Sequence, residues 1–155
     1  AASDVYKRQV FVAGHSAGGY LTSMIGLDKR WLEPYGIDPD TAFVALIPYS
    51  GQVVTHFERR RELGLPDTQP LVDDMAPLSY VRPDCRPMLI LSGDREREML
   101  GRYEENAYFW RMMRVAGHPD VRICEFDGFD HGNMPQAGHF VAVRYIREME
   151  RRMDR

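Results

Sequence analysis

Gly14-His15-Ser16-Ala17-Gly18 stands between a short apolar run, Val10-Phe11-Val12-Ala13, and a stretch from Ala17 to Leu27 whose apolar residues fall at helical spacing. A partly β-branched apolar run ending at a glycine reads as a buried parallel strand. Tyr20, Leu21, Met24, Ile25 and Leu27 then read as one helix. A strand that becomes a helix within so few residues needs a very tight turn, and Gly14 and Gly18 are expected to lack side chains for that reason. Such a turn pushes the Ser16 hydroxyl out above the edge of a sheet. The chain is thereby restricted to architectures that pack helices on parallel strands.

The remaining pattern agrees. Phe43-Val44-Ala45-Leu46-Ile47 reads as a second buried strand closed by Pro48 and Gly51, and Met88-Leu89-Ile90-Leu91 as a third. Val121 to Phe126 alternates like an edge strand. Met99 to Val115 predicts a long helix covered along Tyr103, Ala107, Trp110, Met113 and Arg114. The last helix, about Pro135 to Met153, carries Val143, Ile146, Met149 and Met153 as its stripe. The fold class is α/β, a mostly parallel sheet flanked by helices. Four strands make a thin sheet, and the first reads as a central, doubly buried one, so its N-terminal neighbours are expected to be missing. Asp4-Val5-Tyr6-Lys7-Arg8-Gln9 looks like a translated sequencing adaptor. Residues 1–9 are accordingly read as a non-native lead-in, and 10–155 as the C-terminal part of one domain. The stretch 52–87 is irregular apart from a charged helical segment at Phe57 to Leu63, and is a candidate lid or substrate-facing insertion. Tyr49 and Phe57 are expected to pack in the core, with pocket lining as the alternative for either.

Charge excludes some partners. The net charge is −3, with Lys+Arg 20 and Asp+Glu 23 scattered along the chain, so no basic footprint marks a nucleic-acid or anionic-membrane surface. No apolar run reaches the roughly 18 residues of a membrane span. Cys85 and Cys124 lack the spacing of a metal site or redox pair, and no metal or organic cofactor is expected. Compartment and oligomeric state are left open, and a small-molecule substrate is the expected partner.

A serine hydroxyl is a poor nucleophile near neutral pH without a base in hydrogen-bond reach. Of five histidines, His131 lies in Gly128-Phe129-Asp130-His131-Gly132, just after the last strand, where it can swing toward Ser16. His15 is confined within the tight turn, His56 falls in the insertion, and His118 follows a helix in Gly-His-Pro and reads as solvated. His139 is the rival. After the third strand, Gly93-Asp94-Arg95-Glu96 offers two carboxylates that could orient an imidazole. The Ala17 backbone N–H, at a helix N-terminus, is the expected oxyanion donor.

Together, the Gly14–Gly18 turn, the Gly93–Glu96 loop, Tyr103-Glu104-Glu105-Asn106 and Gly128–Gly132 resemble the bacterial esterase/lipase branch of the α/β-hydrolases, in particular carbohydrate-associated esterases related to feruloyl and acetyl-xylan esterases. The resemblance runs from Val10 to about Met149 and covers the latter half of that fold. It implies a serine hydrolase that cleaves small-molecule or carbohydrate-linked carboxylic esters through an acyl-enzyme, with Ser16, Glu96 and His131 as catalytic residues. In such relatives the acid usually stands three residues after the glycine, which selects Glu96 and leaves Asp94 as the alternative. Peptidase or amidase activity would use the same residues, and a non-catalytic relative or a truncated piece without activity is the other alternative. The chain departs from the pattern in lacking a His-Gly-Gly-Gly loop, the source of a second oxyanion donor. One such donor contributes roughly 2.7–4 kcal/mol of transition-state stabilisation.

Overall fold

The computed structural model describes residues 10–154, so the lead-in expected over 1–9 lies outside the described residues. Strand β1 (Val10–His15) runs through Ser16 into helix α1 (Ala17–Leu27), and two short 3-10 turns and α2 (Pro39–Ala42) return the chain to β2 (Phe43–Tyr49). The segment after β2 holds α3 (Phe57–Glu62) and a 3-10 turn at Pro77–Tyr80. It is followed by β3 (Met88–Gly93), α4 (Arg102–Val115), β4 (Val121–Phe126) and α5 (Met134–Met153). The four strands pair in parallel in the order β1-β2-β3-β4, so the expected α/β sheet is present, with β4 at one edge as its alternation predicts.

Both central strands are buried throughout, because each is covered on two faces. On one face Ala45, Ile47, Tyr49, Leu89 and Leu91 pack with Met134, Ala142, Tyr145 and Met149 of α5. On the other, Leu46, Met88 and Ile90 pack with Leu27 of α1 and with Phe109 and Met113 of α4. A register shift between Val10 and Phe11, which pair with Phe43 and Ala45, leaves Val44 as the extra residue.

Several details depart from the sequence pattern. Strand β1 is not doubly buried: it is the edge opposite β4 among the described residues, and Val10 is 45% exposed. Strand β2 continues through Pro48 to Tyr49. Its contacts with β3 are Leu46↔Met88 and Tyr49↔Leu91, which bracket the residue that has no N–H to give. Helix α4 begins at Arg102, since Gly101 before it is left-handed (φ 78°), and it buries Arg102, Asn106, Phe109 and Met113 rather than the stripe through Tyr103 and Ala107. Polar residues hold that face: Asn106 Nδ2 donates to the Gly51 carbonyl at 2.8 Å and Arg102 Nη1 to the Ser50 carbonyl at 2.6 Å. Helix α5 buries Met134, Gly138, Ala142, Tyr145 and Met149, leaving Val143 and Met153 exposed. Gly138 sets that rotation, because a Cβ there would stand 2.6 Å from the Tyr49 ring.

The segment between β2 and β3 is closed at its base. Thr55 N–H donates to Leu71 C=O (2.9 Å) and Leu78 N–H to Val53 C=O (3.0 Å), while Thr55 Oγ1 donates to Asp73 (2.6 Å). Within it, buried Arg60 donates to the carbonyls of Asp67 and Gln69.

Candidate active site

The turn after β1 puts Ser16 in a strained conformation, φ 58°, for a residue with a side chain. Gly14 makes it feasible: a Cβ there would sit 2.4 Å from the Gly18 carbonyl oxygen. Gly18 itself faces open space. The second glycine under steric demand is Gly19, where a Cβ would meet Tyr49 O at 2.8 Å and Gly51 Cα at 2.9 Å. Close backbone contact between α1 and the end of β2 therefore fixes the turn, and Ser16 N–H donates to the Tyr49 carbonyl at 2.9 Å. The Ser16 side chain does not cap α1. Its hydroxyl instead lies 2.9 Å from Nε2 of His131.

His131 is presented by the turn before α5, where Asp130 Oδ1 accepts from the N–H groups of Gly132 (2.9 Å) and Asn133 (3.0 Å). Its Nδ1 is 2.6 Å from Oε1 of Glu98, not of Glu96 or Asp94. The loop after β3 explains the difference. Glu98 N–H bonds back to the Asp94 carbonyl at 2.7 Å, so the chain makes one full turn before a side chain faces inward. Glu96 is left exposed on the outside of that turn. Asp94 shapes the loop by accepting from the N–H of Glu96 (2.8 Å) and of Gly128 (2.7 Å), bonds that hold its carboxyl below the usual range.

Glu98 has a side chain fully removed from solvent. Burial by itself would raise its pKa, but hydrogen bonds from His131, from the Ser50 hydroxyl (2.6 Å) and from Met99 N–H (2.8 Å) outweigh it and hold the carboxyl down at about 2. Ser50, fully buried and itself at φ 46°, also has its hydroxyl 3.2 Å from His131 Nδ1. Arg102 grips the carbonyl of Ser50 while pairing with Glu105 at 2.8 Å, and Glu105 accepts from the N–H groups of Val53 and Val54. Sequence reasoning did not find Glu98 or Ser50. The one signal for Ser50 is its place just past a buried strand, at the sheet edge where the other site residues gather.

The other histidines lie elsewhere. His139 Nδ1 is 3.3 Å from the Tyr49 hydroxyl. His56 caps α3 and stacks between Tyr20 and Phe57. His118 is buried rather than solvated: its Nδ1 accepts from Asp120 N–H and its Nε2 lies 3.1 Å from the Cys85 carbonyl, both within the turn that joins α4 to β4 and the strand entry beside it. His15 lies against His131, with Nε2 2.9 Å from the His131 carbonyl oxygen. Both cysteines are free, and burial pushes the Cys85 thiol up to about 12.

Beside this cluster is a cavity of about 630 Å³, walled by Gln52, Phe57 and Pro70 from the segment after β2 and by Met99, Leu100 and Arg102 from the loop after β3. It begins one residue past Glu98 and two past Ser50. Phe57 lines this cavity rather than packing in the core, whereas Tyr49 is packed in the core as expected. Among the described residues no helix is long and apolar enough to cross a membrane.

This arrangement of strands and helices is the α/β-hydrolase fold. Thermogutta terrifontis esterase 2 in its apo form superposes with a TM-score of 0.65 at 24% identity, over 90% of this chain and 55% of that one. The same esterase with butyrate bound gives 0.66 at 19% identity, over 90% and 56%. Pyrococcus horikoshii acylaminoacyl peptidase gives 0.62 at 17% identity, over 93% of this chain and 24% of that one. The chain thus spans about half the length of the esterase. No protein-family model matches it, and no curated protein matches its sequence.

Proposed function

We propose that the chain carries the catalytic residues of a serine hydrolase that cleaves carboxylic esters. The observation that carries this reading is the continuous line from Ser16 Oγ to His131 Nε2 (2.9 Å) and from His131 Nδ1 to Glu98 (2.6 Å). In the proposed reaction His131 takes the Ser16 proton as Oγ attacks the ester carbonyl, and returns it to the departing alkoxide. Water then repeats the sequence on the acyl-enzyme and releases the acid. Glu98 holds the imidazole with Nε2 free to accept and stabilises the imidazolium that forms. The Ala17 N–H, at the positive end of α1, is the oxyanion donor supplied by this chain.

The cavity beside Glu98 would receive one side of the ester, which gives the 52–87 segment its substrate-facing role. A carbohydrate-linked ester is the finer expectation, resting on resemblance. The structural likeness to a peptidase as well as an esterase keeps amide cleavage as the second reading, because the same groups serve both. The test is labelling of Ser16 by a fluorophosphonate together with turnover of a short aryl ester and the matching anilide. Loss of both label and turnover in Ser16→Ala is expected. Turnover unchanged by that substitution would overturn the proposal, and faster anilide than ester cleavage would favour the peptidase reading.

A further inference from the structure

The geometry points to His15 as a positioning residue that holds the His131 loop and must be uncharged for turnover, an inference that rests on the hydrolase reading of the site. His15 directly precedes Ser16 inside the Gly14–Gly18 turn, and the reaction as proposed gives it no task. Yet its Nε2 lies 2.9 Å from the carbonyl oxygen of His131, across a separation of 116 residues. A carbonyl only accepts, so Nε2 carries the proton and donates. The two imidazoles are also in contact, with ring centroids 4.6 Å apart and planes inclined by 38°.

That one side chain thus joins the backbone on either side of the reacting pair. Ser16 is fixed by the turn, His131 by the loop before α5, and the His15 hydrogen bond spans the two. Positioning of this kind matters because small displacements of reacting groups cost large factors in rate. The contact also sets an electrostatic condition. His131 becomes an imidazolium during turnover, and a second cation against its ring would oppose that charge. The charged and titratable groups that reach His15 are His131 from the loop before α5, Glu98 from the loop after β3 and Arg102 from α4. Burial first, then the His131 ring, lowers the His15 pKa below its ordinary 6.5, opposed in part by the hydrogen bond to the His131 carbonyl and by Glu98. On balance the surroundings favour the uncharged ring.

The experiment compares wild type, His15→Gln, which keeps an N–H donor at similar reach and cannot be protonated, and His15→Phe, which keeps a ring and loses the donor. Each is measured for ester turnover against pH, for fluorophosphonate labelling and for its thermal melt. His15→Phe is expected to lose about tenfold in kcat with little change in KM, the effect of one net hydrogen bond. His15→Gln should recover most of that loss. On the acid side kcat should fall more steeply in wild type than in His15→Gln, which has no imidazole at this position to take a proton. If His15→Phe turns over like wild type, or if both variants fall as steeply with acid as wild type does, the inference is overturned. If His15→Phe fails to fold, the steepness of the acid fall in His15→Gln decides alone. Absence of label in wild type would overturn the hydrolase reading itself, a separate outcome.

Discussion

Oε1 of Glu98 lies 2.6 Å from Nδ1 of His131, two residues past the carboxylate that loop spacing selects. If this contact orients the imidazole, Glu98→Gln should lower kcat by about 10³- to 10⁴-fold, the scale of losing the acid in a serine–histidine–acid set. Glu96→Gln should stay within about twofold, since Glu96 lies exposed outside the turn. Steady-state kinetics on the two variants check this, and a larger loss in Glu96→Gln would reverse the assignment.

The same contact predicts a pH dependence of stability. The carboxyl of Glu98 is held at about 2 in the folded chain against an ordinary 4.5. A depressed carboxylate stabilises the fold above its unfolded pKa and loses that contribution as pH falls through the folded one. The contribution, on the order of 3 kcal/mol, should therefore be present at pH 5 and fade between about pH 4.5 and 2. Urea melts of wild type and Glu98→Gln across this range should show the gap between them closing as pH falls. A gap that widens would contradict the cause assigned here.

Ser50→Ala removes the hydroxyl that donates to Glu98 at 2.6 Å. A hydrogen bond to a charged group is worth about 1.5–3 kcal/mol, so kcat should fall by roughly 10- to 100-fold while Ser16 still labels. Ser50→Gly should lose activity as well, although glycine suits φ 46° better. A fully active Ser50→Gly would show that the backbone conformation alone is what matters.

Two neighbouring glycines should respond in opposite ways to alanine. Gly18 faces open space in a helix, so Gly18→Ala should raise the melting temperature or leave it unchanged, as alanine is favoured over glycine there by up to about 1 kcal/mol. Gly19→Ala would press a methyl to within 2.8 Å of the Tyr49 carbonyl, a backbone atom that cannot step aside. A loss of about 1–3 kcal/mol is expected. Chemical denaturation of both variants is the measurement.

What the sequence makes legible follows from how local each signal is. Strand and helix order, the turn at Ser16 and the loop that presents His131 all come from contiguous residues, and the structure brings Ser16 and His131 together. Glu98 was hidden because the loop after β3 coils once through hydrogen bonds between Asp94 and Glu98 before turning inward, and counting residues from a glycine does not register a coil. The faces of α4 and α5 were misread by about one position for another non-local reason. Arg102 and Asn106 are buried because they reach carbonyls beyond β2, and Gly138 because it meets the Tyr49 ring. Ser50 has no local signature beyond its place just past a buried strand; the meeting of three loops is what reveals it.

The neck formed by Thr55 with Leu71 and by Val53 with Leu78 makes the stretch from His56 to Pro70 a cassette. Its two ends are already joined, its buried arginine bonds to its own carbonyls, and the grip of α4 on Ser50 and Gly51 lies outside it. Lengthening such a closed loop costs only about 0.6 kcal/mol per doubling. The wall that Phe57 and Pro70 build can therefore be exchanged or extended as a unit while Ser50, Glu98 and His131 keep their places, whereas the facing wall through Met99, Leu100 and Arg102 is tied to the residues that hold the reacting groups.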